Sequence, residues 1–288
     1  MFFGIAALFF AACTSGTILA CTSMSDMGEI AMPGGWTMSM LWMRMPGETW
    51  LNAGAAFLGM WTVMMAAMML PSLAPLLWRS VESLGLIAEG CVAGATGQQR
   101  GVRRDPGRLA MLVAAGYFSV WIALGAAVFL LGVALAKVSM GQPEFARAVP
   151  VAIGLVVLTA GALQFTSWKA RHLALCRRLP CSWQVSNSSA VSCGQAIAGG
   201  VAVRIGSAFP KRLSTALRCG LRLGIHCTLC SAGSTAVLLA LGLMDLRVMA
   251  AVTVAITVER LGPAAARIAH AIGAATLVAG LVLIISAV

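Results

Sequence analysis

Of the 288 residues, 60% are hydrophobic and 10% charged, and the mean hydropathy is +0.91. A soluble domain carries about 25% charged residues, so the composition argues against a soluble enzyme fold and for an integral membrane protein. The apolar runs have helical length and lack the roughly ten-residue alternation of an outer-membrane barrel. The expected fold class is all-α: a polytopic membrane helix bundle of about seven spans, with the lipid bilayer as its surroundings. A net charge of +11 in a soluble chain would point to nucleic acid. Here the basic residues fall between apolar runs, so no nucleic-acid partner is expected.

The seven expected spans are Phe3–Ala20, Asn52–Trp78, Leu109–Ala136, Val151–Trp168, Gly224–Leu243, Val248–Val258 and Ala264–Val288. Loops after spans one, three and five hold Arg44, Lys137, Arg147 and Arg247. The other sixteen of the 20 Lys and Arg residues lie after spans two, four and six or on their flanks. The positive-inside rule then puts the N-terminus inside and the C-terminus outside a bacterial inner membrane. Phe2 to Ser23 also invites a signal-peptide reading, but it lacks a charged n-region, so a retained span is expected.

Two segments organise the chain. Residues 1–50 hold the first span and a loop with Met24, Met27, Met32, Met38, Met40, Met43 and Met45. Residues 51–288 form the helix bundle proper. The loop is rich in Gly, Pro and Ser, so these Met residues have little core to pack into. They are expected to be exposed and to collect a soft metal.

The second span reads MWTVMMAAMMLPSLAP from Met60 to Pro75. Met60, Met64 and Met68 recur every four residues and form one helical stripe; Trp61, Met65 and Met69 form a second. Pro71 and Pro75 are expected to kink its end. A thioether is a soft ligand that suits Cu(I) and needs no deprotonation, although Met is also a flexible packing residue.

Span three, with Tyr117 and Trp121, reads as structural. Its Gly116, Gly125 and Gly132 permit close helix approach. His172 and Cys176, four apart past span four, lie on one helical face. Cys181 follows Pro180. Residues 182–206 turn to Ser, Gly, Ala and Asn. Pro210–Leu223 is basic with apolar residues interspersed and reads as an interfacial amphipathic helix. Span five opens with His226, Cys227 and Cys230, an HCxxC cluster. One CxxC indicates metal or redox chemistry, and no second CxxC follows at zinc-ribbon spacing. Asp245 and Glu259 flank span six, where ionisable groups are functional candidates. Their bland reading is salt bridging, Asp245 with Arg247 and Glu259 with Arg260. If spans five and six pair as a hairpin, Glu259 comes near the cluster. His270, in span seven, is expected to be buried.

Together the motifs WxxMxxAMMxPxxxP, Gln–Lys–Cys–Arg, CxxC, GxMxL and ERLGP resemble domain-of-unknown-function family 2182. That family is described as predicted metal-binding integral membrane proteins, copper-chaperone-like. Trp61, Met64, Met65, Ala67, Met68, Met69, Pro71 and Pro75 carry the first motif; Gln164, Lys169, Cys176 and Arg177 the second. Cys227, Cys230, Gly242, Met244, Met249, Glu259 and Pro263 carry the rest. Many members have Cys where this chain has Ser231, and Asn where it has Asp245. The resemblance implies a metal ion as partner. Softness points to Cu(I), with another soft metal as the alternative.

The candidate metal residues are therefore Cys227, Cys230, His226, Cys176 and Glu259 at the inner site, with Met60, Met64, Met65, Met68 and Met69 leading to it. A copper chaperone, transporter or sequestration factor fits them, with other membrane or periplasmic metalloproteins as partners. The alternatives are an assembly subunit of a membrane metalloenzyme and a thiol oxidoreductase using Cys227 and Cys230. No Ser/His/Asp constellation or ATP motif is present, and no enzyme is expected. Reporter fusions at Arg104 and after Gly206 should read cytoplasmic, and one at Gly34 should read external. A cytoplasmic signal at Gly34 would reverse the orientation.

Overall fold

The computed structural model describes residues 2–26, 29–43, 47–93, 106–177 and 209–287. Cys181, the segment 182–206, and the basic residues Arg100, Arg103 and Arg104 lie outside them, as does Arg44. The helices, in chain order, are α1 Phe2–Asp26, α2 Trp50–Ala93, α3 Pro106–Gly141, α4 Pro143–Leu163, α5 Ser167–Arg177, α6 Phe209–Leu241, α7 Leu246–Leu261 and α8 Ala265–Ala287. The fold is an all-α polytopic bundle. Among the described residues, six helices are long and apolar enough to cross a membrane: α1, α2, α3, α4, α6 and α8. The seventh expected span, Val248–Val258, lies in α7, whose 16 residues make about 24 Å, short of a hydrocarbon core of about 30 Å. Leu130, Leu131, Val278, Val282 and Ile285 are exposed on α3 and α8. That outward apolar surface suits lipid and not water.

The interfacial helix expected over Pro210–Leu223 is not separate. These residues are the first half of α6, which runs unbroken into the CxxC. The reason lies in α3. A side-chain carbon on Gly116 would stand 2.5 Å from the Leu217 carbonyl oxygen. One on Gly220 would meet the Val113 carbonyl, so the two backbones touch and no side chain fits between them. Small residues allow this approach where burial from lipid supplies no drive of its own. Gly161, Gly273 and Gly280 do the same for α4 against α8.

At the centre lies α2, packed between α1, α3 and α7. It continues through Pro71 and Pro75. Trp61, Met65 and Met69 are fully buried; Met64 and Met68 nearly so; Met60 is partly buried. Both Met stripes therefore face protein. The Trp61 indole fills the space left by Gly125 and donates from Nε1 to the Trp121 carbonyl at 2.9 Å.

Part of the Met-rich loop departs from expectation. Glu29–Met32 and Trp36–Ser39 form an antiparallel hairpin, β1 and β2. Met32 and Met38 are buried against Ala136 and Ala146, and Trp36 Nε1 donates to the Ala146 carbonyl. These two Met residues are packing residues, because the pleat turns both to one face. The side chains of Met24, Met27, Met40 and Met45 lie outside the described residues.

Helices α6 and α7 form the expected antiparallel hairpin. Gly242 ends α6 with φ +125°, a conformation only glycine adopts without strain. Asp245 then caps α7, accepting from the Arg247 and Val248 amides. It is a helix cap, not the side-chain partner of Arg247.

Gly220→Leu should force α3 and α6 apart against rigid backbone, costing about 1–3 kcal/mol as overpacked cores do. Thermal unfolding in detergent should register the loss. Gly141→Ala, where an added carbon meets nothing within 4 Å, should leave the melting temperature unchanged.

Candidate metal centre

Five helices bring side chains to one buried locus. Cys227 and Cys230, three apart on α6, share a face, and both are about 1–2% exposed. From α5, Cys176 donates its thiol to Cys230 Sγ at 3.4 Å. All three are free cysteines. Two causes hold the Cys176 thiol far above the ordinary cysteine range: first its hydrogen bond to Cys230, then burial. Tyr117 from α3 hydrogen-bonds Cys227 Sγ at 2.8 Å. Ser231, where many members of the resembled family have Cys, donates to the Cys227 carbonyl at 2.8 Å and is not turned toward the sulfurs.

The residue that ties the locus together is Arg260. Its Nη2 lies 2.9 Å from Cys227 Sγ and 3.4 Å from both Cys230 Sγ and the Cys227 carbonyl. Its Nη1 donates to Ser72 Oγ at 3.1 Å, and Ser72 in turn donates to the Met69 carbonyl. A guanidinium is never deprotonated in proteins. Buried at 6% exposure, it must find polarisable or polar acceptors, and two sulfurs, a hydroxyl and a carbonyl are what it finds.

Glu259 does not pair with Arg260 and does not touch the sulfurs. Its Oε2 meets Lys169 Nζ at 2.9 Å, with both side chains about 3–5% exposed, and its Oε1 has no partner. Successive helical residues point about 100° apart, so Glu259 and Arg260 reach different neighbours. His226 also turns away from the cysteines, toward His172 on α5, Nδ1 to Nδ1 at 3.4 Å. His270 is exposed, not buried, and its ring stacks on Phe165.

Met64, Met65, Met68, Met69, Cys176, Cys227, Cys230 and Met249 belong to one continuous buried cluster, with Met60 and Met244 packed against it. At the far end, by the α6–α7 turn, Cys21 donates its thiol to Met244 Sδ at 3.9 Å. Sequence alone reads Tyr117 as structural, pairs Arg260 with Glu259, and assigns Ser72 no role and Lys169 no partner. One signal was present: Arg260 closes an apolar span, and a cation there calls for a named partner.

Among the described residues, no three or more His, Cys, Asp or Glu side chains form a ready cage for a metal ion. A cation already sits on the sulfurs, that of Arg260. The donor chemistry nevertheless fits a soft monovalent metal as cargo: three thiols, with thioethers in the same core.

Fold and site define a polytopic helix bundle with a buried soft-donor core, a class suited to metal handling. A family model described as PpoB2, copper chaperone, matches residues 58–283. The chain belongs to this copper chaperone family. The match agrees with the copper-chaperone character implied by the motifs. It begins inside α2, so α1 and the hairpin lie outside it. No curated protein and no solved structure matches the chain.

Lys169→Met should destabilise the protein by about 3–5 kcal/mol, because it leaves a buried carboxylate uncompensated. Lys169→Met combined with Glu259→Gln should recover most of that loss. A double-mutant cycle of detergent unfolding measures both.

Proposed function

We propose that this protein is a membrane copper(I) carrier of the chaperone type, which gathers the ion along α2 and holds it at Cys176, Cys227 and Cys230. One observation carries the reading: the soft donors share one connected core. Cys21, Met64, Met65, Met68, Met69, Met249 and the three cysteines are buried in it, with Met60 and Met244 packed against it, and Cys21 meets Met244 as Cys176 meets Cys230. At 1.5 Å per residue, Cys227 stands about 21 Å along α6 from its last residue, Leu241, with Met244 in the turn beyond, and the Met69 carbonyl reaches the cysteine end through Ser72 and Arg260. Lipid would solvate Met as readily as a protein core does. Transfer energy alone therefore does not explain why so many thioethers face inward, and a ligand role would.

Each part has a defined chemical task. Neutral thioethers bind Cu(I) weakly and reversibly without proton exchange, which suits transit. Thiols bind it more tightly and release protons on doing so. Arg260 compensates the sulfurs while no metal is bound. Cu(I) and guanidinium compete for the same electron-rich atoms, so loading moves Arg260 off Cys227 and Cys230. Ser72 and the Cys227 carbonyl remain as acceptors for the guanidinium. The expected orientation would put the Met244 end outside and the cysteine end inside. A thiol oxidoreductase is disfavoured, because Cys227 and Cys230 are sealed from any substrate disulfide.

Replacing Cys227 and Cys230 together with Ser should weaken the sulfur-bound copper(I) by about tenfold or more in affinity, since even indirect neighbours of a metal are worth that much. Chelator competition and X-ray absorption at the copper edge after anaerobic loading measure this, with unfolding in detergent as the folding control. Unchanged affinity and unchanged sulfur ligation in a folded double variant would overturn the sulfur site.

A further inference from the structure

Helices α5 and α6 meet along a face that carries two matched rungs. His172 and Cys176 are four apart on α5; His226 and Cys230 are four apart on α6. His172 meets His226 at 3.4 Å, and Cys176 meets Cys230 at 3.4 Å. In both pairs the partners are 54 residues apart in sequence. The helices thus run alongside in register, and the rungs lie one turn, about 6 Å, from each other. The sulfur rung is sealed, each Cys 2% exposed, whereas both imidazoles are half-buried.

We propose that His172 and His226 form a second, two-coordinate copper(I) site, the station at which the ion passes between the sealed thiols and the outside of the bundle. This rests on the copper reading above. The two nitrogens face each other at 3.4 Å, longer than the usual 2.7–3.2 Å of a hydrogen bond (about 2.9 Å at its mode), so a strong hydrogen bond does not account for the pair. Two metal–imidazole bonds of about 2.0 Å placed end to end span about 4 Å. Small side-chain rotations on the two helices open the gap by the remaining half ångström or so. The Trp168 ring stands edge-on to His172 at 4.7 Å and limits the other directions that ring can take.

Coordination number supplies the selectivity. Zinc asks for four ligands, and magnesium and calcium for six or more oxygens. Among the described residues, no third His, Cys, Asp or Glu joins the two imidazoles in a metal cage. A linear pair of neutral nitrogens is sufficient for a d10 monovalent ion and insufficient for the common divalent ones. Passage from rung to rung is ligand exchange. Cu(I) leaves two imidazole nitrogens for two sulfurs, each thiol that ligates it gives up its proton, which goes to solvent through the vacated rung, and no oxidation state changes.

The test uses the full chain in detergent, loaded anaerobically with Cu(I) alone and read by chelator competition and X-ray absorption. A variant with Cys176, Cys227 and Cys230 all replaced by Ser should retain one copper(I) with two nitrogen neighbours. Adding His172→Ala, or separately His226→Ala, should weaken that copper by more than about tenfold, the lower bound for even an indirect neighbour of a metal. In the otherwise natural chain, either His variant should keep the sulfur-bound copper and surrender it more slowly to the chelator. Wild-type protein that binds copper through sulfur, beside a folded thiol-free variant that binds none, would overturn the imidazole site and leave the copper reading intact. No copper binding by the wild type would overturn both.

Discussion

The structure depends on one buried cation. Arg260 holds α7 to α6 through the sulfurs and carbonyl of the CxxC, and to α2 through Ser72. A guanidinium left unpaired in this interior would be far too costly to keep, so the three helices must converge on it. Its fork geometry matters as much as its charge. One nitrogen serves the sulfurs while the other serves a hydroxyl on a different helix, a division that the compact ammonium of Lys cannot make.

Lys169 and Glu259 form a second buried charge centre, between α5 and α7. It ties α5 to α7 just as Cys176 ties α5 to α6. The two centres share α7 through adjacent residues, so a shift of α7 would be felt at both. A single helix end therefore registers the state of the sulfurs and the position of α5. Movement of Arg260 on metal loading would be transmitted along this route, because close-packed charged contacts have discrete arrangements.

The rest of the bundle provides rigidity around that end. Glycine contacts lock α3 to α6 and α4 to α8 at backbone distance, and Trp61 keys α2 into α3. The α2 methionines are packed between α1, α3 and α7. Flexible, unbranched side chains in a rigid surround can change rotamer without moving backbone, a property that the proposed passage of copper between thioethers would use.

Composition and hydropathy determined the helical class and nearly all the spans, because a bilayer allows few alternatives to helices of fixed length. The stripes of α2 and the α6–α7 hairpin were also legible, from spacing and from a short turn; that the stripes turn inward was an expectation of the metal reading and not of the spacing, since lipid accepts Met as readily as a core does. The tertiary structure alone decided which charge meets which. Glu259 and Arg260 are neighbours in sequence, yet one turns to Lys169 and the other to Cys227, because a helix sends successive side chains in different directions. It also decided that His226 joins His172, that Tyr117 reaches a sulfur, and that Met32 and Met38 are packing residues. Such pairings join residues up to 223 positions apart. No local pattern encodes them; they follow from how close two helices are allowed to come.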